Sequence, residues 1–302
     1  MGILSKKANE FKEKEMSQSL GRITSDTAVD IIKKLNGSED KVKSTIVDNF
    51  IVFTNASGGC GTSTIVNNVA YEASKKGLKV IVIDLNILCP TQHIYLNIKQ
   101  SATEQPDLVS YLTGKTTLGE SIDTSHKYSL MYANNRNIAD LINCNEEVAI
   151  INFNDMISKF RNLFDLILID CPMNLDSMLC NNTLYSCDTI YLVWDEGIGS
   201  IANTDRLRRN MAYCGMDSYT KMRVILNKRT NIHYSFYPFK KLNIELVQTL
   251  PFDTAIIESS VFAQTFCEKG SSSSKNAIEF ARGIIKLTDK VLRIGGLIEW
   301  QL

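Results

Sequence analysis

A chain of 302 residues with 44% hydrophobic content is long enough to bury one large core, or one core and a small appendage. Its 33 basic and 33 acidic residues balance, which excludes a global electrostatic attraction to nucleic acid or to an anionic membrane. The eight cysteines include no Cys-x-x-Cys pair, a pattern that favours reduced thiols in a cytoplasmic protein over disulfides or a metal centre. No apolar run reaches the roughly 18 residues that a membrane-spanning helix needs.

Residues 1–47 differ in character from the rest, because they are rich in Lys, Glu, Ser and Asp and poor in large apolar residues. A capping signal at Thr24–Asp26 predicts one short helix that runs through Leu35. We therefore expect a polar N-terminal arm, partly disordered or helical, in front of a folded domain at 48–302. Two interpretations of the arm stay open: a mobile, solvated leader, and a docking segment that folds on a partner.

A glycine-rich turn at 57–64 is the most informative stretch of the chain. It follows the apolar run Ile51–Asn55 and precedes a helical pattern from Ser63 to Lys76. Strand, turn and helix together are the context of a phosphate-binding loop, in which successive backbone N–H groups and the helix N-terminus surround an anion. A threonine stands where such a loop carries the lysine that reaches the β- and γ-phosphates. The residues predicted to cradle the phosphates are Gly58, Gly59, Cys60, Gly61, Thr62, Ser63 and Thr64.

Two further apolar runs, Val80–Asp84 and Phe164–Pro172, predict buried parallel strands that each carry an aspartate near the carboxyl end. Ligands of open α/β sheets bind at that end of the strands, so we expect Asp84 and Asp170 to lie near the glycine-rich turn. A hydroxyl and two carboxylates are suitable partners for Mg²⁺, directly or through water. The predicted metal residues are therefore Ser63, Asp84 and Asp170.

The rest of the chain alternates helical and strand patterns, which predicts a doubly wound, mainly parallel sheet with helices on both faces. The predicted helices are Pro106–Leu112, Thr117–Ile122, Val148–Asn162, Ser200–Cys214 and Ala277–Ile294. The predicted strands are Ser129–Tyr132, Thr189–Trp194 and Lys221–Leu226.

The last predicted helix has an apolar stripe at helical spacing, which we expect to face the core. Its members are Ile278, Ala281, Ile285, Thr288 and Leu292. The tail Leu297–Leu302 is apolar, but it carries Glu299 and is too short for an interfacial membrane helix. We expect the tail to pack on the domain or against a partner chain.

Five motifs in this order resemble those of the ParA/MinD family of deviant Walker A ATPases, from about residue 48 to about residue 293. The last two are an Asn-Lys pair in Val224–Lys228 and a Pro-x-Asp segment in Leu250–Asp253. The resemblance implies a P-loop NTPase fold that binds ATP or ADP with Mg²⁺. It also implies that Asn227 and the backbone around Pro251 contact adenine. The altered loop is similar to that of atypical pilus- and secretion-linked relatives of the TadZ/CpaE kind.

Three substitutions depart from the pattern that the resemblance implies. Ser57 replaces the signature lysine that family dimers extend to the partner's nucleotide, Thr62 replaces the loop lysine, and Asn86 replaces the aspartate that orients the attacking water. Phosphoryl transfer depends on such cations and positioned groups, and removal of one commonly costs about 100- to 1,000-fold in rate. We therefore expect weakened nucleotide binding, impaired hydrolysis, and an oligomeric state that barely responds to ATP.

One local cluster of basic residues stands out against the neutral whole. Its arginines would be the contacts of a weak, salt-sensitive site for nonspecific DNA. The alternative, which we favour, is a solvated helix face next to a strand end. The arginines of this candidate site are Arg206, Arg208, Arg209 and Arg223.

Three classes of function fit these patterns. The favoured one is a ParA/MinD-like scaffold that positions or assembles a pilus, secretion, division or partition machine, with a protein partner or as a homodimer. The second is a slow but active ATPase switch on DNA or membrane, with a substitute cation such as Lys75 or Lys76. The third, a tyrosine kinase of the polysaccharide-export type, needs a C-terminal tyrosine cluster, whereas the last tyrosine is Tyr237. In each case we expect a cytoplasmic protein, peripheral to the membrane only through partners.

Overall fold

A computed structural model describes residues 48–99, 106–134, 137–174, 177–213, 215, 221–230, 242–269 and 274–294. The predicted N-terminal arm at 1–47, the apolar tail Leu297–Leu302 and Tyr237 lie outside the described residues. Within the described part, strands and helices alternate along the chain, as the sequence predicts.

Seven strands of the described chain form one sheet, and each neighbouring pair is parallel. Their order across the sheet is β3-β2-β4-β1-β5-β6-β7, with β1 in the middle. This order sends the chain to opposite sides of β1, which opens a crevice at the carboxyl ends of the central strands. The predicted parallel sheet is confirmed. The strands are β1 (Phe50–Asn55), β2 (Val80–Asp84), β3 (Ser129–Met131), β4 (Leu166–Cys171), β5 (Thr189–Trp194), β6 (Met222–Arg229) and β7 (Glu245–Pro251).

Helices of the described residues cover both faces of the sheet. They are α1 (Thr62–Lys75), α2 (Gln92–Tyr95), α3 (Leu108–Leu112), α4 (Ile138–Ile142), α5 (Glu146–Leu163), α6 (Met178–Ser186), α7 (Ile198–Tyr213), α8 (Thr254–Val261), α9 (Phe266–Lys269) and α10 (Lys275–Ile294). The predicted helix at Thr117–Ile122 is instead a single 3₁₀ turn at Gly119–Ser121. No pattern in the sequence predicts α2, α4, α6, α8, α9 or β7.

Each central strand is apolar throughout because helices pack on both of its sides. In β1, Phe50 and Val52 face a core layer formed with α3, α5, α6 and α7. Ile51 and Phe53 face a second layer formed with α1 and α10. All four side chains are at most 1% exposed. Burial on both sides explains why the strands are continuous apolar runs and do not alternate with polar residues.

The buried face of α10 differs from the predicted stripe. Ile278 and Ile285 are 41% and 40% exposed, so their assignment to the core is wrong. Thr288 and Leu292 are buried as expected. The stripe that packs on the domain begins one residue earlier, a shift of about 100° around a helix of 3.6 residues per turn. Its members are Ala277, Phe280, Ile284, Leu287 and Val291.

Close packing of α10 on β7 depends on Gly283. A Cβ atom at this position would lie 2.6 Å from Leu250 Cδ2 and 3.3 Å from Gln248 Nε2. Leu250 is fully buried, so its side chain could move away from the added atom only by displacing other core residues.

We therefore expect Gly283→Ala to lower the free energy of unfolding by about 1–3 kcal/mol, the usual cost of overpacking a core. The matched control is Gly199→Ala in α7, where nothing lies within 4 Å of the added Cβ. That substitution should be neutral or stabilising, since alanine is the better helix former by about 1 kcal/mol. Urea titration of both variants measures the effects, and equal stability of the two would contradict the packing of α10 on β7.

Candidate nucleotide-binding site

The glycine-rich turn at 57–64 joins the end of β1 to the start of α1, as the sequence predicts. Gly59 and Gly61 have φ angles of 76° and 89°, in the left-handed region that glycine tolerates best. A Cβ atom at Gly61 would lie 2.6 Å from Asn227 Nδ2, so a larger residue there would push Asn227 away. Gly61 precedes the first helical residue of α1, which directs the free N–H groups of the helix toward the turn.

The end of β6 clamps this turn from the far half of the sheet. Asn227 Nδ2 donates to the carbonyl of Cys60 at 2.7 Å, and Lys228 Nζ donates to the carbonyl of Gly59 at 2.5 Å. The pairing register with β7 shifts between Leu226 and Arg229, and Lys228 has a φ of 54°. The irregular backbone thus aims both side chains at the turn. Lys228 therefore stands beside Asn227, the residue predicted to contact adenine, although the sequence did not mark Lys228 as a site residue.

The two lysines proposed as substitute cations are engaged elsewhere. Lys75 pairs with Glu72 at 3.0 Å, and Lys76 pairs with Asp289 at 3.0 Å, on the far side of α1 from the turn. Among the described residues, Lys228 is the basic side chain that lines the cleft. Thr62 also lines it. The Thr62 hydroxyl is buried and has no hydrogen-bond partner within the described chain.

A cleft of about 470 Å³ opens above the turn, which is within the usual size range of small-ligand sites. The turn forms its floor, and the start of α8 with Pro251 and Phe252 forms one wall. Asn86, Tyr95 and Asp170 line the opposite side. The cleft therefore joins the predicted phosphate residues, the predicted base contacts at Asn227 and Pro251, and one of the two predicted carboxylates.

Asp84 and Asp170 lie side by side at the ends of β2 and β4, where they are register partners. The carboxamide of Gln92 connects them to the turn, since its Nε2 donates to Asp170 Oδ2 at 2.8 Å and to the carbonyl of Ser63 at 3.0 Å. The Ser63 hydroxyl is also bonded to Asp170. The three predicted metal residues are thus brought together, with Gln92 between them.

Both oxygens of Asp84 accept hydrogen bonds from backbone N–H groups. Its Oδ1 accepts from the N–H of Asn86 at 3.0 Å, and its Oδ2 accepts from the N–H groups of Thr91 at 2.8 Å and Gln92 at 3.0 Å. The carboxylate therefore organises the segment that follows β2. In this arrangement both oxygens of Asp84 and Oδ2 of Asp170 already accept hydrogen bonds at the place where a Mg²⁺ ion would bind.

Burial, together with the neighbouring charge of Asp170, raises the pKa of Asp84 to about 7, although three backbone N–H bonds act to lower it. Burial also raises the pKa of Asp170, against hydrogen bonds from Ser63 and Gln92. Two buried carboxylates in contact disfavour the doubly charged state. The pair therefore holds a proton at pH values where an exposed aspartate is ionised.

Ser57 is held within its own chain. Its hydroxyl donates to Asp195 Oδ2 at 3.2 Å, and Ser200 donates to Oδ1 of the same carboxylate at 2.7 Å. Burial alone would raise the pKa of Asp195, but hydrogen bonds from Ser200, the backbone of Gly197 and Ser57 lower it. An ionised carboxylate therefore stands beside the position of the signature lysine. No sequence pattern pointed to Asp195.

Most of the candidate DNA-binding arginines are engaged within the domain. Arg208 is buried and donates to the carbonyl of Leu242. Arg209 pairs with Asp205 on α7, and Arg223 lies 3.4 Å from Glu245 on β7. Arg206 is exposed. The four side chains therefore do not form one open basic surface.

No group of three His, Cys, Asp or Glu side chains in the described part of the chain is arranged to hold a metal ion. None of the helices described has the length and apolar character needed to cross a membrane.

Comparisons with known proteins agree with this geometry. A family model described as an AAA domain matches residues 48–211, more than half of the chain. The septum site-determining protein MinD of Thermotoga maritima is 25% identical over 253 residues, which span 78% of this chain and 88% of that protein. The tyrosine-protein kinase CpsD of Streptococcus pneumoniae is 24% identical over 194 residues, which span 63% of this chain and 78% of the kinase.

Among solved structures, the MinD protein of Pyrococcus horikoshii in complex with Mg-ADP matches with a TM-score of 0.67 at 18% identity. The match covers 83% of this chain and 98% of that protein. At this identity the match shows the fold alone.

The raised pKa of Asp84 predicts that stability depends on pH. Because the folded pKa of about 7 exceeds the unfolded value of about 3.9, folding takes up a proton between these values. This contribution to the free energy of unfolding is complete below pH 4 and disappears as the pH rises through 7.

Denaturant titrations at pH 5 and pH 8 test this expectation. The unmodified protein should lose more stability between the two pH values than Asp84→Asn, by about 3 kcal/mol, because each of the roughly two pH units between pH 5 and the folded pKa of about 7 contributes about 1.4 kcal/mol. The control, Asp205→Asn on the exposed face of α7, should keep the slope of the unmodified protein. Equal slopes for all three proteins would contradict the assignment.

Proposed function

The chain belongs to the ParA/MinD family of P-loop ATPases, and on that premise we propose that it binds nucleotide, hydrolyses it poorly, and acts as a positioning or assembly scaffold. The observation that carries the proposal is an intact phosphate cradle without its lysine. Gly59 and Gly61 keep their left-handed conformations and α1 begins at the turn, but Thr62 contributes only a hydroxyl. Such a site retains ground-state contacts and loses charge stabilisation in the transition state.

The base end of the cleft supports a purine nucleotide. Asn227 and Lys228 stand at one side, and Pro251 and Phe252 stand at the other. The edge of a base can form hydrogen bonds with backbone groups after β7 and with a side-chain amide from β6. Its faces can pack against the aliphatic stem of Lys228 and the ring of Phe252. We propose ATP or ADP as the ligand, with the base between these two walls and the phosphates on the turn.

The site lacks three groups that the family uses for hydrolysis, of which the first is the loop lysine that Thr62 replaces. Asn86 lines the cleft where a carboxylate would orient water, and an amide is a poor proton acceptor. Ser57 is bonded to Asp195 and supplies no charge to a second subunit. We propose that the cycle of binding and turnover has been reduced to binding, and that the bound protein serves as a fixed platform for a protein partner of a larger machine.

The second candidate is a slow ATPase switch, and Lys228 is the observation that favours it. An ammonium group 2.5 Å from a carbonyl of the turn could give part of the charge stabilisation that Thr62 does not. This candidate predicts measurable turnover that depends on Lys228. The kinase similarity supports neither candidate over the other.

The two candidates differ in the expected effect of Thr62→Lys. A lysine that touches phosphates in the ground state should raise the affinity for ATP by about tenfold and raise turnover less, because Asn86 and Ser57 leave the transition state unsupported. Calorimetric titration and a phosphate-release assay measure the two effects. Robust Mg²⁺-dependent hydrolysis by the unmodified protein, abolished in Asp170→Ala, would establish the switch and refute the scaffold.

Loss of the Lys228 ammonium should weaken nucleotide binding. Lys228→Met keeps the apolar stem but removes the bond to Gly59, so the turn loses one of its two clamps and affinity for ATP should fall on the order of tenfold. Lys115→Met, which removes a lysine paired with Asp140 on the opposite face, is the control. If both variants bind ATP like the unmodified protein, Lys228 has no part in the site.

The oligomeric state should not respond to nucleotide. A ligand shifts an equilibrium only by its differential affinity for the two states, and Ser57 supplies no contact across a dimer interface. We expect either a monomer or a constitutive dimer whose mass by light scattering is the same with and without Mg-ATP. A clean change from monomer to dimer on addition of Mg-ATP would favour the ATPase switch.

A further inference from the structure

We propose that Gln92 closes the metal position of this site. Its carboxamide occupies the space beside Asp170 that a divalent cation would need, so that nucleotide binding gains little from the cation. That Gln92 excludes a cation follows from its contacts with the two carboxylates and does not depend on nucleotide. The nucleotide part rests on the function proposed above.

The position of the carboxamide is decisive. Nε2 of Gln92 is bonded at once to Asp170 Oδ2 at 2.8 Å and to the carbonyl of Ser63 at 3.0 Å, and the side chain is completely buried. A cation that approached Asp170 Oδ2 would meet the partly positive amide group, which already donates a hydrogen bond to that oxygen. The amide thus stabilises the Asp170 carboxylate electrostatically, as a bound cation would.

The orientation of the amide is fixed by its surroundings. With oxygen and nitrogen exchanged, Oε1 would point its lone pairs at a carboxylate oxygen and at the Ser63 carbonyl, which are both acceptors. In the observed orientation Oε1 is buried and has no hydrogen-bond partner among the described residues. The side chain is therefore held in this place by the two bonds of Nε2, even though its oxygen remains unsatisfied.

The backbone of Gln92 is fixed as firmly as its side chain. Its N–H donates to Asp84 Oδ2 at 3.0 Å, next to the bond from the N–H of Thr91. The first of the two carboxylates anchors the segment, and the segment presents Gln92 to the second. Displacement of the amide by a metal ion would require either loss of both Nε2 bonds or movement of a backbone that Asp84 holds.

A closed metal position changes how the site compensates the negative charge of a nucleotide. A nucleotide triphosphate brings several negative charges to a cradle that lacks a loop lysine at Thr62. With the carboxylates closed to a cation, the compensating positive charge comes from backbone N–H groups, the N-terminus of α1 and Lys228.

Manganese alone, without nucleotide, tests the role of Gln92 directly. The full chain is titrated with MnCl₂ in a calorimeter, and Gln92→Ala is compared with the unmodified protein. Removal of the amide should tighten Mn²⁺ binding by at least about tenfold, since groups around a metal site typically change affinity by 10- to 100-fold. Equal binding by the two proteins would refute the proposal.

The matched control is Asn152→Ala. Asn152 also donates its carboxamide to a backbone carbonyl, that of Leu112 at 2.8 Å, but it lies on α5 away from the cleft. This variant should bind Mn²⁺ like the unmodified protein. A gain equal to that of Gln92→Ala would mean that loss of a hydrogen-bonded amide acts through general loosening, and the proposal would fall.

Gln92→Glu covers the case in which the alanine variant does not fold. The side chains have nearly the same shape, but the carboxylate offers an oxygen ligand where the amide offers protons. Mn²⁺ should therefore bind at least about tenfold more tightly than in the unmodified protein. Binding as weak as that of the unmodified protein would overturn the proposal.

A second arm uses ATP, measured with Mg²⁺ and with EDTA. The affinity of the unmodified protein should change less than about threefold between the two, and that of Gln92→Ala should rise at least about tenfold with Mg²⁺. A strong gain with Mg²⁺ in the unmodified protein would refute the closed site. If no variant binds ATP under either condition, the proposed nucleotide function fails, while the manganese titration still decides the role of Gln92.

Discussion

The burial of two carboxylates side by side is the constraint on which the rest of this site depends. Parallel pairing of β2 with β4 sets Asp84 against Asp170, and both are at most 4% exposed. Charges in that position are expensive unless protons or hydrogen bonds compensate them. The chain provides such compensation by folding residues 86–92 back over Asp84 and by directing Gln92 at Asp170. The conformation of the whole segment after β2 follows from this requirement.

The parts of the site that the sequence could predict are those whose signal is local. Strands β2 and β5 were predicted to the residue, because strands buried on both faces are continuous apolar runs with sharp ends. The glycine-rich turn was predicted because its function depends on local backbone geometry. Gln92 and Asp195 carry no local signal, and the Asn-Lys motif that contains Lys228 gives no sign of its bond to Gly59. Each acts on a residue far away in sequence, such as Gln92 on Asp170, and only the folded sheet brings those partners together.

The error in α10 has a physical reason of the same kind. Its sequence contains two overlapping stripes at helical spacing, one through Ile278 and Ile285 and the other through Phe280, Ile284 and Leu287. Periodicity shows that such a helix has an apolar face, but the identity of that face depends on what it packs against. Here the close approach of Gly283 to Leu250 fixes the rotation of the helix, and two isoleucines are left at the surface.

The environment of Ser57 shows that the altered turn is not simply a damaged version of the family pattern. Asp195 accepts hydrogen bonds from Ser57 and Ser200, and the backbone of Gly197 completes its shell. A lysine introduced at position 57 would meet an ionised carboxylate of its own chain before it could reach another subunit. The loss of the lysine is thus accompanied by a local network that makes use of the serine. The same holds at Asp170, where Gln92 is bonded in the place of a cation. At both positions a mobile charge has been exchanged for fixed hydrogen bonds within one chain, which is the physical basis for expecting a static platform in place of a nucleotide-driven switch.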